Sequence, residues 1–370
     1  MNPLHGIWEL GQSVWYDNIH RKMISSGELS RMINEDGLRG VTSNPAIFEK
    51  AITGYKDYDQ AIENYLAQHP NTTSRELFYH LAIEDIQQAA DQLLHIYHAH
   101  QGRDGYVSLE VSPDLAHDTE GTIKEAKELW EKVGRKNLMI KVPATKVGVS
   151  AIETLIYEGI NINATLLFSV ERYQEVAQAY ISGLTQRIEN NLPVDHISSV
   201  ASFFISRVDS AIENQAQYDK QLQGKVAIAN AKLAYQRYLD IFSQSNFTEL
   251  ANAQAQTQRL LWASTGTKSK ELSDVLYLEQ LIGPNTVTTV PPATYDAYKD
   301  HGKPLSTLTQ DTREAQDIIN QLQDLGINLD AITEQLEKEG VDAFAKAFTT
   351  LLSAIDQKVS SATSNNLTTA

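Results

Sequence analysis

At 370 residues the chain can bury a large core, either as one big α/β domain or as two smaller ones. Its 31 basic and 47 acidic residues leave a formal net charge of −16, and no run of lysine or arginine suits a phosphate backbone, so nucleic acid is not an expected partner. There is no cysteine for disulfides, thiolate metal sites or nucleophiles, no basic-then-apolar leader at Met1-Asn2-Pro3-Leu4-His5-Gly6, and no apolar run near the ~20 residues that span a bilayer, so a cytoplasmic protein without a membrane partner is the expectation.

The first strand is expected over 13–17, followed by a helix over 20–36 that Gly37 and Gly40 stop. A second short strand over 41–44 ends at Pro45. Two or three helices then fill 45–100. From Ser74 onward, Leu77, Leu81, Ile83, Ile86, Ala89, Ala90, Leu93 and Leu94 make a helical stripe. A third strand over 106–111 leads to a helix over 119–133. The fourth strand is Leu138-Met139-Ile140-Lys141-Val142-Pro143-Ala144-Thr145, apolar but for one lysine and closed by a proline, which cannot continue a central ladder. A helix over 150–158, a strand over 162–168, a helix over 170–189 and a strand over 200–205 follow. A helical excursion over 208–258 precedes the last two strands, 260–264 and 286–290, the latter stopped by Pro291-Pro292. Further helices complete the chain, and the serine-, threonine- and asparagine-rich stretch 360–370 reads as a frayed tail.

Eight short strands, each followed by helix, give the count of a (β/α)8 TIM barrel with additional helices, a single catalytic domain over 1–359. A doubly wound open sheet is the alternative. It predicts a glycine-rich first turn, and Asp17-Asn18-Ile19-His20 has no glycine.

In a barrel of this kind the active site lies at the C-terminal ends of the strands. Polar residues recur there: Asp17, Asn44, Glu110, Lys141, Asn163, Thr165, Ser202 and, just past the sixth strand, Arg207. Each alone can be a satisfied core group or a helix cap; agreement across so many strand ends points to a site. A lysine buried in an apolar setting is driven towards the neutral amine, which attacks a ketone or aldehyde carbon to form a carbinolamine and then an imine. Glu110 with Thr165 supplies a carboxylate to move the proton and a hydroxyl to pin a water. Asp17 can take a proton from a substrate hydroxyl, and Asn44 and Asn163 can orient sugar hydroxyls. Arg207 suits a terminal phosphate, which Ser264 and Lys268 beyond the seventh strand would complete.

Three stretches carry a family resemblance: Gly40-Val41-Thr42-Ser43-Asn44-Pro45, Ile140-Lys141-Val142-Pro143-Ala144-Thr145 and Ile162-Asn163-Ala164-Thr165-Leu166-Leu167-Phe168-Ser169. Together they resemble transaldolase, and the chain is similar to its longer subfamily from the Asp17 strand to Pro291. The resemblance implies a class I aldolase-type barrel of the pentose phosphate pathway. It would pass a dihydroxyacetone unit from sedoheptulose 7-phosphate to glyceraldehyde 3-phosphate, with no cofactor and no metal. On the family pattern Lys141 falls on the Schiff-base lysine and Asp17 on the aldol acid/base. Glu110 and Thr165 fall on the water-holding pair, Asn44 and Asn163 on the substrate-orienting amides, and Arg207 on the phosphate arginine. Ser202 and Phe204 match a Ser-x-Phe pattern of the sixth strand. The chain departs from the family after the seventh strand, where Ser264-Thr265-Gly266-Thr267-Lys268 holds no second arginine and Lys268 would have to substitute.

A fructose 6-phosphate aldolase, which releases the three-carbon unit, is the nearest rival. Such relatives tend to carry glutamine at the position of Glu110 and tyrosine at that of Phe204. A non-catalytic sugar-phosphate-binding barrel and a metal-dependent barrel are further alternatives. For the last, the only histidine cluster is His95, His98 and His100, without the i, i+4 spacing of a helical zinc pair. The expected partners are small sugar phosphates, and a homo-oligomer stays open.

Overall fold

The computed structural model describes residues 2–368, with side chains through Ser360. Eight parallel strands close into a barrel in sequence order: β1 (Gln12–Tyr16), β2 (Gly40–Val41), β3 (Tyr106–Glu110), β4 (Leu138–Pro143), β5 (Ile162–Leu167), β6 (Ser199–Phe204), β7 (Arg259–Ala263) and β8 (Thr286–Val290). β1 pairs with both β2 and β8, with Trp15 opposite Gly40 and Gln12 opposite Thr286, so the sheet has no free edge. Every strand residue is buried, because helices cover the outer wall and side chains fill the inside. The (β/α)8 TIM barrel read from the sequence is the fold.

Strand positions agree to within a residue or two, except that β2 is only Gly40–Val41. Thr42, Ser43 and Asn44 lie beyond it, and Asn44 in extended backbone caps the helix Pro45–Gly54. The helix expected over 20–36 is two, Arg21–Ser25 and Glu28–Glu35, because Gly27 sits between them at φ +84°, a left-handed turn that glycine adopts without strain. The helix after β4 starts earlier than expected, running Lys146–Tyr157 with Thr145 as its cap. A short helix Pro3–Glu9 precedes β1, where the sequence reading had none.

The stripe from Ser74 belongs to the 26-residue helix Ser74–Ala99, with Leu77, Leu81, Ile86, Ala89, Ala90 and Leu93 buried. Its Asp85 is buried too, held by Arg21 Nε at 2.9 Å and the Tyr58 hydroxyl at 2.7 Å, which ties the 45–100 insertion to the start of the barrel. The C-terminal helix, Leu329–Thr368, packs across the helices Pro45–Gly54, Ser74–Ala99 and Ser206–Glu213. The tail expected over 360–370 lies, for its side chains beyond Ser360, outside the described residues. Among the described residues no helix is long and apolar enough to cross a membrane.

Candidate active site

The strand register puts three polar residues level with one another. Glu110 on β3 stands opposite Lys141 on β4, and Lys141 opposite Asn163 on β5. All three are at least nine-tenths buried. Lys141 Nζ lies 3.4 Å from Glu110 Oε2 and donates to the Ser43 carbonyl at 3.2 Å. The first is an ion-pair contact; neither Glu110 oxygen has a hydrogen-bond donor among the described residues. On its far side Glu110 meets an apolar gap walled by Phe48, Phe78 and Phe348. Burial there pushes its carboxyl up to about 7, and the opposing pull of Lys141 does not cancel it. A carboxyl balanced near neutrality can both give and take a proton.

Above this layer a cavity of about 500 Å³, its open mouth included, is lined by Asp17, Asn44, Lys141, Thr165, Ser202, Phe204, Arg207 and Ser264, together with Thr42, Ala263, Thr289 and Phe344. The structure thus brings eight of the expected residues to one space at the C-terminal ends of the strands. The Thr165 hydroxyl is buried with no partner among the described residues, so it is available to a water or a substrate oxygen. Asp17 Oδ1 accepts from the Thr42 hydroxyl at 2.7 Å, and Thr42 in turn meets the Thr289 hydroxyl at 2.8 Å. Asn44 serves two ends at once: its Oδ1 caps the helix Pro45–Gly54 by accepting from Ile47 N at 3.0 Å, and its amide nitrogen remains for the cavity.

Asn163 sits below the cavity lining. It accepts from the Ser202 hydroxyl at 2.6 Å and donates to the Ser108 hydroxyl at 3.1 Å, a short network that fixes which way both serine and amide point. Phe204 packs on Phe168 at 5.2 Å and carries the Arg207 guanidinium over its ring at 5.3 Å. Arg207 has no carboxylate within ion-pair reach among the described residues, and burial lowers its affinity for its proton against the pull of Glu339. A guanidinium held by stacking, with no carboxylate at ion-pair distance among the described residues, is a ready partner for an anion. Ser264, at φ +56°, exchanges a 2.9 Å hydroxyl contact with Ser206 beside it. Lys268 is the expected residue the structure does not bring in: it is exposed in the loop after β7 and lines no part of the cavity. Among the described residues no three histidine, aspartate or glutamate side chains group as a metal site, and His100 instead packs on Trp8 at 4.8 Å.

Four lining residues escaped the sequence reading. Thr289, one residue from the end of β8, obeys the rule that flagged the other strand ends. Thr42 stood in a quoted motif, and Ala263 ends β7 without a polar atom. Phe344 had no marker, since an aromatic on a helix reads as core.

The model for the family described as Transaldolase/Fructose-6-phosphate aldolase matches residues 14–355. The chain belongs to the transaldolase/fructose-6-phosphate aldolase family. It is 45% identical to "Transaldolase" of Trichodesmium erythraeum (strain IMS101) over 97% of this chain and 98% of that one. It is 44% identical to "Transaldolase 2" of Nostoc punctiforme over 97% and 98%. It is 43% identical to "Transaldolase" of Thiobacillus denitrificans over 96% and 100%. Relatives of the family thus cover nearly the whole of this chain, and the family match takes in every cavity-lining residue from Asp17 to Phe344.

Proposed function

We propose that this chain is a transaldolase, a transferase that moves a dihydroxyacetone unit from sedoheptulose 7-phosphate to glyceraldehyde 3-phosphate, giving erythrose 4-phosphate and fructose 6-phosphate. The observation that carries the reading is the buried Lys141 amine, 3.4 Å from a carboxyl poised near 7, at the floor of a cavity whose arginine has no carboxylate at ion-pair distance among the described residues.

Lys141 Nζ attacks the donor's carbonyl carbon, and Glu110 moves the proton that turns the carbinolamine oxygen into a leaving water. Thr165 holds that water. Asp17 takes the proton from the adjacent hydroxyl, so the carbon–carbon bond breaks with its electron pair drawn into the protonated imine. The first aldehyde leaves, and a three-carbon enamine stays on Lys141. That enamine attacks the second aldehyde, whose oxygen regains a proton from Asp17, and water returns across the imine to free the ketose and the amine. Thr42 aims the carboxylate of Asp17 through its 2.7 Å hydrogen bond. Arg207, beside Ser264, binds the terminal phosphate. The setting proposed is the pentose phosphate pathway of the cytoplasm, with sugar phosphates as the partners.

The test is chemical capture. Borohydride added with fructose 6-phosphate should leave a reduced three-carbon adduct on Lys141, read by peptide mass mapping. An adduct on a different lysine, or none, rejects the reading. Release of free dihydroxyacetone without an acceptor, at a rate matching transfer, would favour the lyase activity of the fructose 6-phosphate aldolases instead; Glu110 and Phe204 support transfer.

A further inference from the structure

One wall of the cavity comes from a segment without polar chemistry. Gly340, Phe344 and Phe348 stand four residues apart on the C-terminal helix and share one face. A Cβ on Gly340 would lie 2.9 Å from Leu166 Cδ2, so glycine lets the helix settle against β5 without moving that side chain. One turn on, Phe344 is 7% exposed, lines the cavity and holds its ring centroid 5.4 Å from Lys141 Nζ. A further turn on, Phe348 packs on Phe78 at 5.6 Å and walls the gap beside Glu110. One apolar face therefore covers both groups that carry the imine chemistry.

We infer that Phe344 is a specificity-determining residue that commits the lysine-bound three-carbon unit to an aldehyde acceptor rather than to water. The inference rests on the transfer reading above. Once the donor's carbon–carbon bond has broken, the enamine carbon has two fates. In transfer it forms a new bond to the acceptor's aldehyde carbon, and the aldehyde oxygen takes a proton. In loss the carbon itself takes a proton, regenerating the imine; water then adds across the C=N bond and the C–N bond breaks, giving free dihydroxyacetone and the lysine amine. The routes part at that one protonation. An aromatic ring beside Lys141 denies bulk water and its protons access to the carbon, while leaving room for the single water that Thr165 holds. The face of the same ring also favours the positive nitrogen of the protonated imine, keeping the adduct in place between the two half-reactions.

The test compares two rates in Phe344→Leu and Phe344→Ala: dihydroxyacetone released from fructose 6-phosphate alone, and transfer from fructose 6-phosphate to erythrose 4-phosphate. Their ratio comes from the same folded molecules, so it does not move when a variant is merely less stable. In Phe344→Ala the ratio of loss to transfer should rise about ten-fold or more, and in Phe344→Leu by less, with the Lys141 adduct still trapped in both. A ratio within about two-fold of the parent in both variants overturns the inference. If Phe344→Ala fails to fold, Phe344→Leu decides alone. An unaltered protein that gives no adduct on Lys141 sinks the transfer reading itself; an adduct with an unchanged ratio sinks only the role of Phe344.

Discussion

Two clusters at opposite ends of the barrel use the same residue types and leave them in opposite states. At the N-terminal end Asp104 accepts from the Ser13 hydroxyl at 2.7 Å, from Trp15 Nε1 at 3.3 Å and from Arg259 Nη2 at 3.0 Å, while Arg259 also donates to Ser13 at 2.9 Å. Arginine and carboxylate answer each other, and the cluster is closed. At the C-terminal end Glu110 has a lysine at ion-pair distance but no hydrogen-bond donor among the described residues, Thr165 has no partner, and Arg207 rests on an aromatic ring. A buried polar group left open costs stability, and open atoms occur near the N-terminal end too, at Gln12 Oε1, Arg39 Nε, Asn137 Oδ1 and Gln258 Oε1; those of the C-terminal group are set apart because Lys141, Thr165 and Arg207 converge on one cavity. Open groups gathered around a cavity, rather than open groups alone, separate the site from the closed Asp104–Arg259 cluster.

Mutation should move different observables at the two ends. The largest effect is expected of Glu110→Gln, which should slow imine formation by about 10²–10⁴-fold, read as the rate of borohydride-trapped adduct. Unchanged trapping would remove Glu110 from proton transfer and blur the contrast between the ends. Next comes Arg259→Ala, which leaves Asp104 buried without its ion pair and should cost about 3–5 kcal/mol of stability in a denaturant melt, with kcat of the folded fraction unaltered. A loss of kcat at constant stability would give the Asp104–Arg259 cluster more than a structural part. Arg207→Ala removes a charged hydrogen-bond donor worth about 1.5–3 kcal/mol and should raise KM for phosphorylated substrates by about ten- to a hundred-fold, with little change for unphosphorylated ones. Equal loss on both would deny it the phosphate.

The smallest effect concerns pH. Burial raises the Glu110 carboxyl from 4.5 to about 7, so between those values the folded protein holds a proton that the unfolded chain has released. Stability therefore declines as pH rises through that window and is level above it. Thermal melts should show Glu110→Gln gaining on the parent across the same window. A constant difference from pH 4 to 8 would mean that the carboxyl titrates in its ordinary range.

Much of this was legible in the sequence because barrels repeat. Eight short strands, each followed by helix, imply the topology, and the rule about strand C-termini singles out Asp17, Lys141, Thr165 and Ser202. What stayed hidden depends on packing between distant segments. Phe344 lies far along the chain from Lys141, and nothing in its neighbourhood distinguishes it from Leu351 or Ile355, which are buried in the core. Asn44 can be read as a cap or as a substrate ligand, and the structure shows the cap leaving one half of the amide over. Leu166 at φ +62°, where the register with β6 shifts, has no glycine or asparagine to announce it. Lys268 looked like a replacement for a missing arginine only because spacing says nothing of how a loop folds away.

The ring of strands is complete at Val290, yet Phe344 arrives only with the last long helix. A ribosome extruding this chain N-terminus first would therefore present a closed barrel before it presents a sheltered cavity. During that interval the lysine would sit in a wet, unfinished pocket, able to meet any stray aldehyde in the surrounding medium.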